Sequence, residues 1–567
     1  MSTGSNFSVI STEVVCRFLQ SAVIVDDHPY FTDPPPQELV APGRRPPQTK
    51  VESGTSKAGV EAGRHDLDAR RLINAFADFG VVCAVLQPIL QSPIGDTIES
   101  LSMRTDRATQ RADIVILDWN MPPEDQPGQN AKRLIQEILR TDKPSGVVPR
   151  GEDHSRRLRL IAIYTGDGLA SIKKEAENLL TESGLGSVTS GTYHVTAGPV
   201  MITVYGKDGS SIVGDDANRR VGEGDLPKLL QGDFTRMTEG LLSNAALAAL
   251  SAIRTNTHRI LSRFNPVMDA PYVAHRAMME PPEEAEEHPV PLIASEIEGV
   301  IADDDEIAKL VGLDAIKEWL DSTSLQEEAL RDTLGMDSGA FKEVFLSLLQ
   351  KGLNKADGGS EFPRWGNLVE SLKNNDRSAA SVLTRILAPG ETDETSPDMK
   401  FALLTSLRWR YEEPPRVLKL GTIVATDEGG NTRYWLCVQP VCDSVRLSSA
   451  RSFPFLKLKI KGPSDGEPFD FVVLDSLRGE YKRLRCSRKP FDMILFKMEP
   501  ERSSKSVKAR RDGDSWLFDR AGGESPLRWI ADLKTDHAHR IVDLFANEIK
   551  RVGLTESEWL RRMAIQR

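Results

Sequence analysis

Between residues 20 and 210, five short apolar runs constrain the fold more than any other feature: Ala22–Val25, Val81–Leu86, Ile114–Leu117, Leu160–Tyr164 and Val200–Tyr205. A strand with one wet face alternates apolar and polar residues. A run that is apolar at nearly every position is buried on both faces, as in a parallel sheet covered by helices. Segments with helical spacing separate the runs: Leu67–Phe79, Ile98–Asp106, Ala131–Leu139 and Ala170–Leu180. This alternation predicts a doubly wound, five-stranded parallel sheet over residues 1–222. Polar, proline-bearing stretches at 28–65, 141–157 and 182–196 read as loop insertions.

The remainder of the 567 residues is too long for the same core, and the chain reads as multidomain, α/β followed by α and then β-rich. Lys228–Phe264 lacks proline and predicts one long helix within 223–279. Its leucines and alanines carry more apolar surface than water tolerates, so it should pack on a neighbour or pair with a second copy as a homodimer. An acidic, proline-rich run at 280–292 reads as a linker, and 293–400 as short helices. From about Leu418 the apolar period becomes two, which predicts an α+β, β-rich C-terminal domain over 401–567, closed by helices near Ala538–Arg551 and Glu556–Met563.

A formal charge of −11 is mild for this length and requires no polyanion partner. Five scattered cysteines suit a reducing, cytoplasmic setting rather than a disulfide framework. No basic and apolar leader opens the chain, and no run is long enough to span a membrane.

Acidic residues close several of the apolar runs. Asp26 and Asp27 follow the first and Asp118 follows the third; Thr165 ends the fourth, and Lys207 lies just past the fifth. In open α/β sheets the crevice beyond the carboxyl ends of the strands is where ligands bind. Carboxylates gathered there repel one another, and a hard divalent cation such as Mg²⁺ relieves the repulsion. A carboxylate so neutralised can attack a phosphoryl group in line, and a hydroxyl and an ammonium can then hold the new phosphoryl oxygens.

Asp118-Trp119-Asn120-Met121-Pro122, together with the strand-end residues, resembles the receiver domain of two-component response regulators. The resemblance covers roughly residues 10–215. It implies a flavodoxin-like fold with Asp118 as phosphoacceptor. Asp26, Asp27 and Asp118, with the backbone carbonyl of Asn120, would hold Mg²⁺. Thr165 and Lys207 would bind phosphate, Gly166 would leave room for it, and Tyr205 would stand near the usual aromatic switch position. The intervals between motifs are longer than in a minimal receiver, and Asp208 follows Lys207 where the family commonly has proline. The layout also resembles enlarged response receivers of bacterial conflict and phage-defence operons. A histidine kinase is the implied phosphodonor, with a further effector protein as the target of the output.

Other motifs carry less. His258 is followed by Arg259, unlike a phosphorelay histidine, and no ATP-binding boxes follow it. Cys437 and Cys442 lack a second metal-ligating pair and read as buried strand cysteines. Tyr434 to Arg446 is a compact constellation without an assignable chemistry, and no nucleophile–base or metal set marks an enzyme, even near His537 and His539. The basic stretch 446–511, including Lys482, Arg483 and Arg485, fits either phosphate contacts with a nucleic acid or the solvated face of a half-exposed sheet; the second reading is the simpler.

Overall fold

The computed structural model describes residues 6–31, 66–88, 98–121, 126–142, 157–210, 212–280, 282–355, 362–374, 377–388, 397–411, 415–428, 430–462, 469–475, 479–550 and 561–563. Most of the insertions at 28–65 and 141–157, Pro122, and the start of the helix expected at Glu556–Met563 lie outside these residues. The described chain forms two compact units, one up to Ser322 and one from Thr323 onward.

In the first unit, α1 (Asn6–Phe18) leads into β1 (Ser21–Val25). A small parallel pair, β2 (Pro29–Tyr30) and β3 (Leu67–Asp68), precedes α2 (Ala69–Asp78), which the Asp68 carboxylate caps by accepting from the Arg71 amide at 3.0 Å. Then come β4 (Val82–Leu86), α3 (Ile98–Thr109), β5 (Ile114–Leu117), α4 (Gln129–Thr141), β6 (Arg159–Thr165) and α5 (Leu169–Glu182). β7 (Val188–Ser190), β8 (His194–Ala197), β9 (Val200–Lys207) and β10 (Arg220–Val221) complete the strands.

Among the described residues the sheet holds eight strands rather than five, in the order β4-β1-β5-β6-β9-β8-β7, with β10 paired to β9. β4, β1, β5, β6 and β9 are mutually parallel, as the apolar runs require. The expected insertion at 182–196 is instead the antiparallel hairpin β7–β8, which extends the sheet along β9. Its short alternating strands lack the continuous apolar run by which the central strands were recognised. Helices cover both faces. Val23 and Val25 pack with α4 and α5 on one side, and Ala22 and Ile24 with α1, α2, α6 and α7 on the other.

The expected long helix at 228–264 is two: α6 (Leu226–Thr238) and α7 (Leu241–Arg263). Glu239 is extended between them and Gly240 is a poor helix former, so the chain turns there. Leu230 and Phe234 of α6, with Leu247 and Ala248 of α7, are buried against the sheet of the first unit, so this apolar face is covered within the chain. The run read as a linker is also structured. Pro282–Glu287 is a 3-10 turn, and Pro289 opens a helix where a missing N–H costs nothing. α8 (Asp269–Met278), α9 (Pro289–Ala302), α10 (Asp305–Leu310) and α11 (Leu313–Ser322) finish the unit.

In the second unit, α12 (Glu327–Leu334), α13 (Ser338–Lys351), α14 (Pro363–Lys373), α15 (Arg377–Leu387) and α16 (Pro397–Ser406) precede the strands. These are β11 (Thr422–Glu428), β12 (Asn431–Cys437), β13 (Arg451–Lys461), β14 (Phe471–Asp475), β15 (Glu480–Cys486), β16 (Met493–Met498), β17 (Arg510–Asp512), β18 (Ser515–Phe518) and β19 (Leu527–Asp532). They form one antiparallel sheet, β14-β15-β13-β12-β11-β19-β18-β17, with β16 paired to β13 and α17 (Thr535–Ile549) packed on it through Ile541 and Phe545. Cys437 is buried on β12, whereas Cys442 is exposed in a 3-10 turn rather than buried in a strand.

Candidate phosphoacceptor site

Register places the chemistry. Val25 pairs with Leu117, Leu117 with Ile163, and Ile163 with Val204. The residues just beyond therefore share one edge: Asp26 and Asp27 after β1, Asp118 after β5, Thr165 at the end of β6 and Lys207 at the end of β9. Backbone bonds hold the acids in place, the Asp118 amide donating to Val25 O at 2.9 Å and the Asp26 amide to Leu86 O at 3.1 Å.

The structure brings Asp26, Asp27, Asp118 and Lys207 together. Each carboxylate offers one oxygen, and the three oxygens lie within 4.8 Å of one another. The Lys207 ammonium donates to Asp26 Oδ2 and Asp118 Oδ2, each at 2.8 Å, and all three groups are buried. Burial pulls the pKa of Lys207 down, but the carboxylates of Asp118 and Asp26 outweigh this and hold it above its ordinary value. Asp26 and Asp118 share this one ammonium, and Asp27 pairs with His28 instead. Desolvation pushes the Asp118 carboxyl up to about 7; Lys207 opposes the shift, and Asp26 and Asp27 reinforce it. Burial also raises Asp27, against the opposing effect of His28, whose Nδ1 sits 2.8 Å from Asp27 Oδ2. Asp27 Oδ1 is buried without a hydrogen-bond partner among the described residues. An orphaned, electron-rich oxygen in an acidic cluster matches the donor set of a hard divalent cation.

Thr165 is fully buried, and its Oγ1 accepts from the Asp167 amide at 3.2 Å. The Asn120 side chain donates to Asp167 Oδ2, which ties the loop after β5 to the loop after β6. Tyr205 is buried and donates to Asp233 Oδ2 of α6 at 2.6 Å, with the Arg219 guanidinium 3.8 Å above its ring. Three supporting residues escaped the sequence reading. Buried Asn130 donates to Met121 O at 2.7 Å, and Asp167 anchors Asn120. Gly128 adopts φ +76°, and a Cβ there would lie 2.1 Å from the buried Trp119 ring. A Gly six residues before a helical leucine gives no local signal of such a contact.

The three basic residues singled out on β15 are not equivalent. Arg483 and Arg485 share a sheet face with Lys461 and Lys459, directly opposite them on β13. Lys482 points to the other side of the strand and pairs with Glu480.

A doubly wound sheet with three carboxylates and a lysine at its carboxyl edge defines a phosphoacceptor-type α/β domain. Residues 18–211 match the family model described as Response receiver domain, and this part of the chain is a response receiver domain. No curated protein and no solved structure matches the chain.

Proposed function

We propose that the chain is an atypical response regulator that takes a phosphoryl group onto Asp118 from a histidine kinase. The observation that carries this reading is the buried, charge-unbalanced cluster of Asp26, Asp27 and Asp118 with Lys207. An Asp118 carboxylate oxygen attacks phosphorus, the bond from phosphorus to the donor's imidazole nitrogen breaks, and the electron pair and a proton remain with the departing histidine. Asp26, Asp27, Asp118 and the Asn120 carbonyl would hold Mg²⁺, which when bound neutralises the carboxylates and the incoming phosphoryl oxygens. Lys207 and the Thr165 hydroxyl bind the transferred group, and Gly166 leaves space for it.

The output runs through protein contacts, or the receiver drains phosphate from its kinase in the cytoplasm; no further catalytic activity belongs to this reading. The resemblance to receivers of conflict operons adds a role in anti-phage defence, for which loss of protection in a plaque assay by Asp118→Asn is the check. The direct test incubates the full chain with Mg²⁺ and labelled acetyl phosphate or a phosphorylated histidine kinase. One hydroxylamine-labile phosphoryl group per chain, absent in Asp118→Asn, is expected. No incorporation from either donor, or label retained by the variant, sinks the reading.

A second reading has one observation in its favour. Lys459 faces Arg485 and Lys461 faces Arg483 across β13 and β15, with Asp492 Oδ2 4.0 Å from Lys459 Nζ, so among the described residues four bases on one sheet face meet one carboxylate of β16's leading turn and the face stays attractive to a polyanion. A nucleic acid would serve. Salt-sensitive binding of DNA or RNA that weakens in Arg483→Glu with Arg485→Glu supports it, and no binding at low salt removes it.

A further inference from the structure

We propose that His28 is a positioning residue of the acceptor site: its imidazole holds Asp27 by Oδ2 and leaves Oδ1 as the oxygen offered to a divalent cation. The inference deepens the phosphoacceptor reading and rests on it. The three acids are steadied in different ways. Lys207 donates to Asp26 Oδ2 and Asp118 Oδ2, each at 2.8 Å. Asp27 takes another partner, with His28 Nδ1 2.8 Å from its Oδ2. With Oδ2 so engaged, Oδ1 is buried and has no hydrogen-bond partner among the described residues. The carboxylate is divided between one bonded oxygen and one left for a ligand, where oxygens of three acids converge within 4.8 Å.

The backbone of both residues is already fixed. The Asp27 carbonyl accepts from the Gln87 side-chain amide at 3.2 Å. The His28 N–H donates to Asp26 Oδ1 at 2.9 Å, and its carbonyl accepts from the Leu67 N–H at 3.1 Å, beside the β2–β3 pair. His28 therefore holds both leading acids, one through its main chain and one through its ring. What its ring adds is a stop to rotation of the Asp27 side chain. A carboxylate free to turn presents its oxygens in a spread of directions, and Mg²⁺ demands near-octahedral geometry. Hydrogen bonds to ligating groups supply such orientation, and their loss costs about 10- to 100-fold in metal affinity. A neutral ring facing a carboxylate carries its proton on Nδ1 and leaves Nε2 to water. The His28 side chain is 58% exposed, so the ring can be trimmed without opening the core.

The test is a Mg²⁺ titration of the unphosphorylated full chain, followed by Trp119 fluorescence, for the wild type, His28→Ala and His28→Asn. Asparagine Nδ2 stands as many bonds from Cα as histidine Nδ1 and donates in the same place. Affinity should fall about tenfold in His28→Ala and return in His28→Asn, with one circular dichroism spectrum for all three. Half-maximal labelling by acetyl phosphate should move to about tenfold higher Mg²⁺ in His28→Ala. Affinity unchanged or tighter in His28→Ala, or His28→Asn no better than His28→Ala, overturns the assignment and leaves the acceptor reading in place. A wild-type chain that responds neither to Mg²⁺ nor to acetyl phosphate overturns that reading and the assignment with it.

Discussion

Each unit buries a cluster of acid and base where strands of its sheet end, and the two clusters are built oppositely. At the receiver edge Asp26 and Asp118 share one ammonium, Asp27 pairs through Oδ2 with His28, and Asp27 Oδ1 has no partner among the described residues. In the C-terminal unit Arg528 of β19 donates to both carboxylate oxygens of Asp475 at the end of β14, at 2.9 and 3.2 Å, and the Tyr434 hydroxyl of β12 donates to Asp475 Oδ2 at 2.7 Å. No side-chain atom of that triad is orphaned. A buried cluster with satisfied charge fixes strands; one with excess negative charge calls for a ligand. Tyr434, from the constellation that the sequence left unassigned, is therefore engaged in a satisfied packing cluster, whereas the proposed phosphoacceptor Asp118 sits in the unbalanced one.

The largest effect that separates the two clusters is categorical. Asp118→Asn should abolish phosphoryl incorporation from acetyl phosphate, while Asp475→Ala leaves it intact; equal loss in both would erase the distinction. In the converse direction, Asp475→Ala strands the buried Arg528 charge and should destabilise the C-terminal unit by roughly 3–5 kcal/mol. Asp475→Leu combined with Arg528→Met should recover most of that loss in chemical denaturation, as expected of a structural pair. Gly128→Ala should cost the receiver roughly 2–4 kcal/mol, because its φ is positive and the added Cβ meets the Trp119 ring. Thermal melting of the receiver transition reports it, and an unchanged midpoint would remove Gly128 from the support of the acceptor loop.

The smallest effect is a pH dependence. With burial pushing the Asp118 carboxyl up to about 7, a metal must displace a proton below that pH. Mg²⁺ affinity, followed by Trp119 fluorescence, should rise about tenfold per pH unit toward 7 and then level. For the metal-free protein the sign is the reverse. The folded state holds a proton that the unfolded state releases near the ordinary carboxylate value, so this contribution to stability is full at low pH and is lost as pH rises through about 7. A flat melting midpoint between about pH 5 and 7 in EDTA would contradict the unbalanced charge of the site.

The receiver was legible because its information is local. Runs such as Ala22–Val25 and Ile114–Leu117 are apolar at each position, and a parallel sheet aligns their carboxyl ends, so Asp26, Asp27 and Asp118 meet once the strands are recognised. Lys207 is reached by the same rule at the end of β9. The hairpin at 188–197 and the break at Glu239-Gly240 were not legible, because each depends on which neighbour the segment packs against. The prolines at 289 and 291 illustrate the same ambiguity, since proline both punctuates linkers and opens helices.

By itself, the sequence determined the five central strands of the receiver and the identity of the acids that follow them, because period and strand-end position are properties of short segments, while the order of those strands came from the structure. Only the tertiary structure decided which side chains meet: Gly128 beneath Trp119, Tyr205 bonded to Asp233, Asp475 locked by Arg528 and Tyr434, and Arg263 of α7 paired with Glu296 of α9. Such contacts follow from chain closure over tens of residues, and no local pattern encodes which partner each side chain will meet.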